Sequence, residues 1–496
     1  LIHIRDLSYR FDRSDSYALK DINLDIVSGE FVVVAGPSGC GKSTLALALG
    51  GYLFRQYAGE ASGVVEVLGH DTREAEIFDV AEIVGLVQQN PEAQLCTLTV
   101  ADEVAFGLEN RRLAPSLIEE RSRWALEIVG GLQLMNRPLA TLSGGEKQKV
   151  AIAAMMAAKP QVLIFDEPTS NLDPTATGEI FRVIQHIREK VGITVIVIEH
   201  KLGYLAPFQP RVIRMEQGRI VGDGRDLPSY FPSDSLTVLP QCNKPMSSND
   251  HSVRTQHLTV EYGDSPVLSD LSIDLHPGEF VAVMGDNGSG KTTLLRCLMG
   301  LLKPPAGEIW ILGHDARKTP VSSLARDVGF IFQNPDHQLF AETVWEEAVF
   351  APRNLGLLDQ KTSGRVDDLL RTCGLERYRD THPHRLSYGE KRRLNLASIL
   401  SYEPRVILLD EILIGQDSGN AAMLMDLLRE ETARGSTVVN VTHDPETTFR
   451  YSDRIVFLKD GRILLDEATG EALDKLATLG LADYLPNGRS HGPVSR

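Results

Sequence analysis

Apolar positions along the chain fall into short β-branched and aliphatic runs separated by helical stretches. FVVVAG, VLIFDE and ITVIVIEH in the first half are matched by FVAVMG, VILLDE and STVVNVTH in the second. Strands alternating with helices predict an α/β fold with a mainly parallel sheet core, whose ligands gather at the carboxyl ends of the strands. The most apolar window, TLALALGGYLF at 44–54, is well short of the 18 or more apolar residues that a membrane-spanning helix needs.

The two halves repeat each other. GPSGCGKST at 36–44 recurs as GDNGSGKTT at 285–293, so that Lys42 and Lys291 lie 249 positions apart. Gln89 and Gln333, Ser143 and Ser387, and Asp166 and Asp410 are each separated by 244, and His200 and His443 by 243. Order and spacing are kept along nearly the whole chain, which is the signature of a duplicated unit. The drop from 249 to 244 places a five-residue insertion in the first copy, expected in the loop around QYAGEASG at 56–63. Between the copies, FPSDSLTVLPQCNKPMSSNDHS at 231–252 has three prolines, many small polar residues and no periodicity. It reads as a linker between a first domain at 1–230 and a second at 253–496. The segment from 468 onward reads as a short helical end followed by a frayed tail.

Composition and charge narrow the classes of partner. With 496 residues the chain exceeds one ordinary domain, and 51 Lys and Arg against 67 Asp and Glu give a formal charge of -16. That charge opposes binding to nucleic acid or directly to anionic lipid, so membrane contact is expected only through protein partners. The five cysteines form no CxxC pair, which argues against zinc, iron-sulfur and disulfide roles. The opening LIHIRDLSYRF lacks the order of a secretion signal, and the cytoplasm is the expected compartment.

The repeated glycine-rich stretches carry the chemistry. Each follows an apolar strand and precedes a helix, so glycines let backbone N–H groups face phosphate oxygens while the helix presents its positive end to the same anion. The candidate nucleotide contacts are Gly36, Ser38, Gly39, Gly41, Lys42, Ser43 and Thr44, and in the second copy Gly285, Asn287, Gly288, Gly290, Lys291, Thr292 and Thr293. Lys42 and Lys291 should reach the β and γ phosphates of ATP, and Ser43 and Thr292 should ligate Mg2+. Each copy also has a strand that ends in two carboxylates, Asp166 with Glu167 and Asp410 with Glu411. Buried acid pairs require a compensating cation or proton, so the Asp is assigned to Mg2+ and the Glu to polarising the attacking water. His200 and His443, matched at the end of the next apolar run, are expected to reach the γ phosphate.

In this order the motifs resemble those of the ABC transporter ATPases: phosphate loop, Gln89 or Gln333, LSGGE at 142–146 or LSYGE at 386–390, the DE strand, then EH or TH. The LSGG-type segment separates that family from other phosphate-loop proteins. The resemblance implies two tandem ATP-binding domains, each with a helical subdomain, and adds Gln89 and Gln333 as nucleotide and Mg2+ contacts. It also implies two composite sites. One would join Lys42, Glu167 and His200 to Ser387 and Gly389, the other Lys291, Glu411 and His443 to Ser143 and Gly145.

Tyr388 stands where the first copy has Gly144. Both segments read Ser-x-x-Glu, the capping-box pattern, which places Tyr388 at a first helical position where no positive φ is needed. The expectation is two competent but unequal sites, with bulk added near one γ phosphate. ILIGQD after Glu411 departs further from the family's run than PTSNLD at 168–173. Phe11 and Tyr262 lie where the family stacks an aromatic ring on adenine, though a core aromatic reads nearly as well.

The stretches after each Gln, QNPEAQLCTLTVADEVAFGLEN at 89–110 and QNPDHQLFAETVWEEAVFAPRN at 333–354, resemble those of energy-coupling factor ATPases. That subfamily powers uptake of vitamins, vitamin precursors and cobalt or nickel ions. It docks on an integral membrane scaffold subunit that carries a small substrate-binding membrane subunit. Acidic residues Glu92, Asp102, Glu103, Asp336, Glu346 and Glu347 would suit basic coupling helices there. A solvated charged face is the competing reading. Two other tandem classes compete with this reading. Tandem sugar-importer ATPases usually have a degraded second copy, whereas Lys291, Glu411 and His443 are present. Ribosome-associated tandem ABC proteins have a long charged linker and lack the His, unlike this chain.

Overall fold

The apolar runs become the central strands of two six-stranded sheets, one in each half. In the first, the order across the sheet is Arg219–Gly224, Arg211–Glu216, Phe31–Ala35, Thr194–Ile198, Val162–Asp166 and Val84–Val87. All neighbours are parallel except the antiparallel edge pair Arg219–Gly224 and Arg211–Glu216. The second sheet has the same arrangement, in the order Arg462–Ala468, Arg454–Lys459, Phe280–Gly285, Thr437–Val441, Val406–Asp410 and Val328–Ile331. Helices and the second sheet of each unit cover both faces, which is why Phe31–Ala35 and Thr194–Ile198 are buried at every position and apolar except at Thr194.

This computed structural model describes residues 1–12, 16–170, 172–199, 202–225, 251–263 and 265–486. His200 and residues 231–250 of the expected linker lie outside the described residues. The chain divides into two units, Leu1–Ser233 and Asp234–Arg496. Among the described residues, no helix is long and apolar enough to cross a membrane.

Each unit also contains a four-stranded antiparallel sheet that the parallel-core reading did not foresee. In the first unit its order is Leu19–Ile26, Ile2–Phe11, Gly59–Val67 and His70–Asp71. The signal was present as alternation of Ile2 with Ile4 and of Leu7 with Tyr9, all buried. Asp6, at φ 48, shifts the register between the two pairs and masks the period of two. The insertion of the first copy is a correction of a similar kind. Its extra residues form the short helix Leu53–Gln56 and lengthen the strand Gly59–Val67 to 9 residues, against 6 in Ala306–Ile311. They do not form an open loop.

A helical subdomain packs beside each central sheet. In the first unit it consists of Val100–Asn110, Pro115–Ile128 and Gly144–Ala157, joined through buried Val104, Leu108, Leu126, Val150 and Ala153. In the second it consists of Val344–Asn354, Gln360–Thr372 and Tyr388–Leu400. The helical end is the helix Thr469–Thr478, structure continues beyond it, and residues 487–496 of the expected tail lie outside the described residues. The turn Ala482–Tyr484 is ordered, with Tyr484 1% exposed among Phe457, Leu473 and Leu476. Its hydroxyl donates to Asp286 Oδ1 at 2.6 Å, which ties this segment to the second phosphate loop.

Candidate functional site

The phosphate loops start where Phe31–Ala35 and Phe280–Gly285 leave their sheets, and they end in the helices Lys42–Leu49 and Lys291–Leu298. Gly285 follows because a Cβ there would meet Leu458 O of the neighbouring strand at 2.1 Å. Gly41 and Gly290 cap the helices at φ 105 and 98, a left-handed conformation that costs other residues about 1–2 kcal/mol. Each lysine folds back on its own loop. Lys42 Nζ donates to Gly36 O at 2.8 Å and Pro37 O at 2.9 Å, and Lys291 Nζ to Gly285 O at 2.8 Å and Asp286 O at 2.7 Å. Both lysines are buried, so their charges face the loop interior. Gly39 and Gly288 form its open side, where an added Cβ would meet nothing within 4 Å. Ser38 and Asn287 are exposed beside them. A buried cation under an open glycine-lined turn fits a polyphosphate anion.

In each unit the paired carboxylates close the strand Val162–Asp166 or Val406–Asp410, at the same end of the sheet as the phosphate loop. Ser43 Oγ donates to Asp166 Oδ1 at 3.0 Å, and Thr292 Oγ1 to Asp410 Oδ2 at 3.0 Å. Burial, then the neighbouring glutamate, pushes each aspartate up to about 6. A hydroxyl and a carboxylate at this separation fit Mg2+. That ion takes few protein ligands and completes its shell with phosphate and water. Gln89 Nε2 donates to Glu167 Oε2 at 2.8 Å and Gln333 Nε2 to Glu411 Oε2 at 3.3 Å, which leaves the amide oxygen as the candidate ligand.

Glu167 and Glu411 have φ values of 46 and 54. Each donates its N–H to the end of the next strand, to Ile198 O and Val441 O, both at 2.9 Å. Both halves therefore hold the same strained backbone at the same residue, which turns the glutamate away from the sheet and toward the loop at a cost of about 1–3 kcal/mol. No sequence pattern announces this. His443 Nε2 lies 2.9 Å from Glu411 Oε1, placed as an ion pair without an aligned hydrogen bond. Burial pushes the Glu411 carboxyl up, but His443, Lys291 and Arg392 outweigh it and hold the group below its ordinary value. In this structure His443 addresses the glutamate of its own unit, and Thr44 and Thr293 continue the loop helices.

The two Ser-x-x-Glu segments each form the capping box. Ser143 N donates to Glu146 Oε2 at 2.8 Å and Ser387 N to Glu390 Oε2 at 2.9 Å. Gly145 and Gly389 fall in the first turns of these helices. Tyr388 is the first helical residue, without positive φ, and its hydroxyl points to Gln333 O at 3.4 Å. The departure at ILIGQD belongs to the same adjustment. Gly415, at φ 75, lies beneath the tyrosine ring, where an added Cβ would come within 2.9 Å of Cδ1. Gln416 Nε2 donates to Gly389 O at 3.0 Å. Asp173 and Asp417 cap the following helices in the same way in both units. Phe11 packs edge-on against Tyr9 and Tyr57 at 5.0 and 5.9 Å, whereas Tyr262 is half exposed.

Two of the acidic residues proposed to face a partner do not. Glu103 and Glu347 are buried, and each accepts two backbone N–H groups of the preceding loop, from Cys96 and Thr97 and from Phe340 and Ala341. Glu92 pairs with Lys147, and Asp336 with Lys391 at 2.7 Å. Glu103 and Glu347 thus brace the far end of the segment after each Gln, at 96–97 and 340–341. The exposed side chains of the region include large apolar ones: Leu98, 83% exposed, and Phe106 in the first unit, Phe340, 61% exposed, and Phe350 in the second.

A cation-bearing glycine loop, a hydroxyl–aspartate pair and a strained glutamate at the carboxyl ends of one sheet's strands define each unit as a nucleotide-binding α/β ATPase unit. The chain belongs to the ABC transporter family, whose profile matches residues 19–170 and 268–413, and it is an ATP-hydrolysing protein of that family. A Methanosarcina acetivorans protein named as an ABC transporter ATP-binding protein is 36% identical over 98% of this chain and 88% of its own length. A Bacillus subtilis protein named as an HMP/thiamine import ATP-binding protein, YkoD, is 33% identical over 94% of this chain and 91% of its own. Among solved structures, cbiO1 from Clostridium perfringens, described as part of the ABC transporter complex cbiONQ, aligns at 31% identity. The alignment has a TM-score of 0.42 and covers 47% of this chain and 95% of that one.

The raised aspartates give a sign for stability. From about pH 4 to 6 the folded chain holds protons on Asp166 and Asp410 that the unfolded chain has released, so stability falls as pH rises through that window and stays low above it. The loss is up to roughly 3 kcal/mol per carboxylate without a bound cation. Asp410→Asn should therefore raise the melting temperature of the metal-free chain by a few degrees at pH 7.5 and by about half as much at pH 5. Scanning calorimetry at the two pH values checks this, and an equal gain at both would show that Asp410 is not a buried charge.

Proposed function

We propose that the chain is the ATP-hydrolysing subunit of an energy-coupling factor type importer of a vitamin, vitamin precursor or transition-metal ion. Its partners are an integral membrane scaffold subunit and a small substrate-binding membrane subunit, and its place is the cytoplasmic face of the membrane. The observation that carries this reading is an exposed aromatic side chain matched after each Gln. Phe106 and Phe350 occupy equivalent exposed positions on helices whose preceding loops are braced at their far ends by Glu103 and Glu347. An exposed aromatic at the same place in both copies, on the helix that follows the nucleotide residue Gln89 or Gln333, suits docking of helices that must feel closure around ATP. The likeness to YkoD along nearly the full length supports an importer of a small vitamin-like molecule.

Within each unit, Lys42 or Lys291 and the loop amides bind the triphosphate of ATP, and Ser43 with Asp166 or Thr292 with Asp410 hold Mg2+ together with Gln89 or Gln333. The ion neutralises phosphate charge when bound. Glu167 and Glu411 orient the attacking water and accept its proton, and His200 and His443 respond to the γ phosphate. The pairing of each loop with the other copy's Ser-capped helix start is part of the proposal on the family resemblance alone.

The test is to express the chain with Glu167→Gln and Glu411→Gln, solubilise membranes gently with ATP present and identify what co-purifies. A scaffold membrane protein with a small integral membrane subunit is expected, and Phe106→Asp with Phe350→Asp should abolish their recovery. Recovery of ribosomes without any membrane protein would overturn the importer reading.

A further inference from the structure

The two copies differ along one face of the Ser-capped helix. At positions one, five and eight of that helix the first unit has Gly144, Gln148 and Ala151, and the second has Tyr388, Arg392 and Asn395. These positions are one helical turn apart and face the same neighbour. In the second unit all three bond the loop that begins at Gln333. Arg392 Nη2 donates to Gln333 O and, at 2.9 Å, to the Tyr388 hydroxyl. The guanidinium lies 5.2 Å from the centre of the tyrosine ring, and Asn395 Nδ2 donates to Pro335 O at 3.2 Å. Arg392 is 0% exposed, and its Nε and Nη1 have no hydrogen-bond partner.

A fully buried guanidinium with two unmatched nitrogens is costly unless what it holds matters. In the first unit the equivalent Gln148 is also buried, but its Nε2 has no partner. What both units share is the outer ion pair, Lys147 with Glu92 and Lys391 with Asp336. The inner tie from helix to Gln-loop backbone is seen in the second unit only, among the described residues.

We propose that Arg392, Tyr388 and Asn395 are positioning residues that latch the Gln333 loop to the Ser-capped helix, so that the second unit's loop is set before nucleotide arrives while the first unit's must be ordered by it. Tyr388 then does more than add bulk. Its ring shields the buried cation and its hydroxyl shares in the latch, with Gly415 giving it room. The proposal rests on the ATPase reading and is independent of the importer reading.

Hydrogen exchange on the full chain tests it, in a Glu167→Gln, Glu411→Gln background that holds ATP without turnover. Without nucleotide, amides at 333–338 should exchange about tenfold more slowly than those at 89–94, the effect of one or two retained hydrogen bonds. Mg-ATP should protect 89–94 more than 333–338. Arg392→Gln, which installs the residue that the first copy carries, should bring 333–338 to the level of 89–94 and restore an equal response to Mg-ATP. Tyr388→Phe, which keeps the ring, should give a smaller change in the same direction. Equal exchange of the two loops in the parent chain would overturn the latch. So would a rise in Arg392→Gln spread along 388–400 instead of at 333–338, because that is the mark of a helix merely loosened.

Discussion

Glu411→Gln is expected to slow turnover at its own site by about a hundredfold or more, the usual worth of a positioned general base, and to lower steady-state ATP hydrolysis by at least roughly half. ATP affinity should stay within about twofold, since the amide keeps the shape of the side chain and the strained backbone at φ 54. The substitution removes the negative charge that faces His443 and Gln333 and leaves the phosphate loop untouched. Initial-rate assays with a separate nucleotide-binding titration check both halves of the expectation. Unchanged hydrolysis would sink the assignment of the glutamates. Glu167→Gln should cost less than Glu411→Gln if Tyr388 weakens the site that Glu167 serves. Equal and nearly complete losses would show instead that the two sites turn over as a unit.

Lys291→Ala is expected to weaken ATP at the second loop by about a hundredfold, which corresponds to the loss of one or two charge-assisted hydrogen bonds. Two effects combine. The cation is lost, and Gly285 O and Asp286 O lose the donor that draws the loop together. Lys42→Ala should do the same at the first loop. The substitutions can be told apart by cross-linking a photoactivatable ATP analogue and mapping the labelled peptides. Retained labelling of the second unit in Lys291→Ala would show that the loop amides suffice.

The parts of the site that were legible in the sequence are those whose residues adjoin along the chain. The glycine spacing, the lysine and the paired carboxylates at a strand end are each a few positions long, and local steric rules decide their shape. The Ser-x-x-Glu helix starts were legible for the same reason. What could not be read depends on contacts between distant segments. Arg392 meets Gln333 across 59 positions, and nothing in LSYGEKRR says which carbonyl the arginine will find. Glu103 and Glu347 show the same limit. Acids in the first turn of an amphipathic helix look solvated, yet both point inward because two loop amides need an acceptor. The left-handed backbone of Glu167 and Glu411 is set by the neighbouring strand and by no property of glutamate. The antiparallel sheet was hidden differently, since the register shift at Asp6 broke the alternation of buried residues along the first strand.

The bond between Tyr484 and Asp286 separates the two copies in time as well as in chemistry. Its partners are 198 positions apart, so the second phosphate loop has its last brace only after nearly the whole second unit has been synthesised. Domains generally fold in the order in which they leave the ribosome. A nascent chain would therefore acquire its first ATP loop early and its second among the final events of translation, and a chain cut short ahead of residue 484 would emerge with one finished loop and one unbraced.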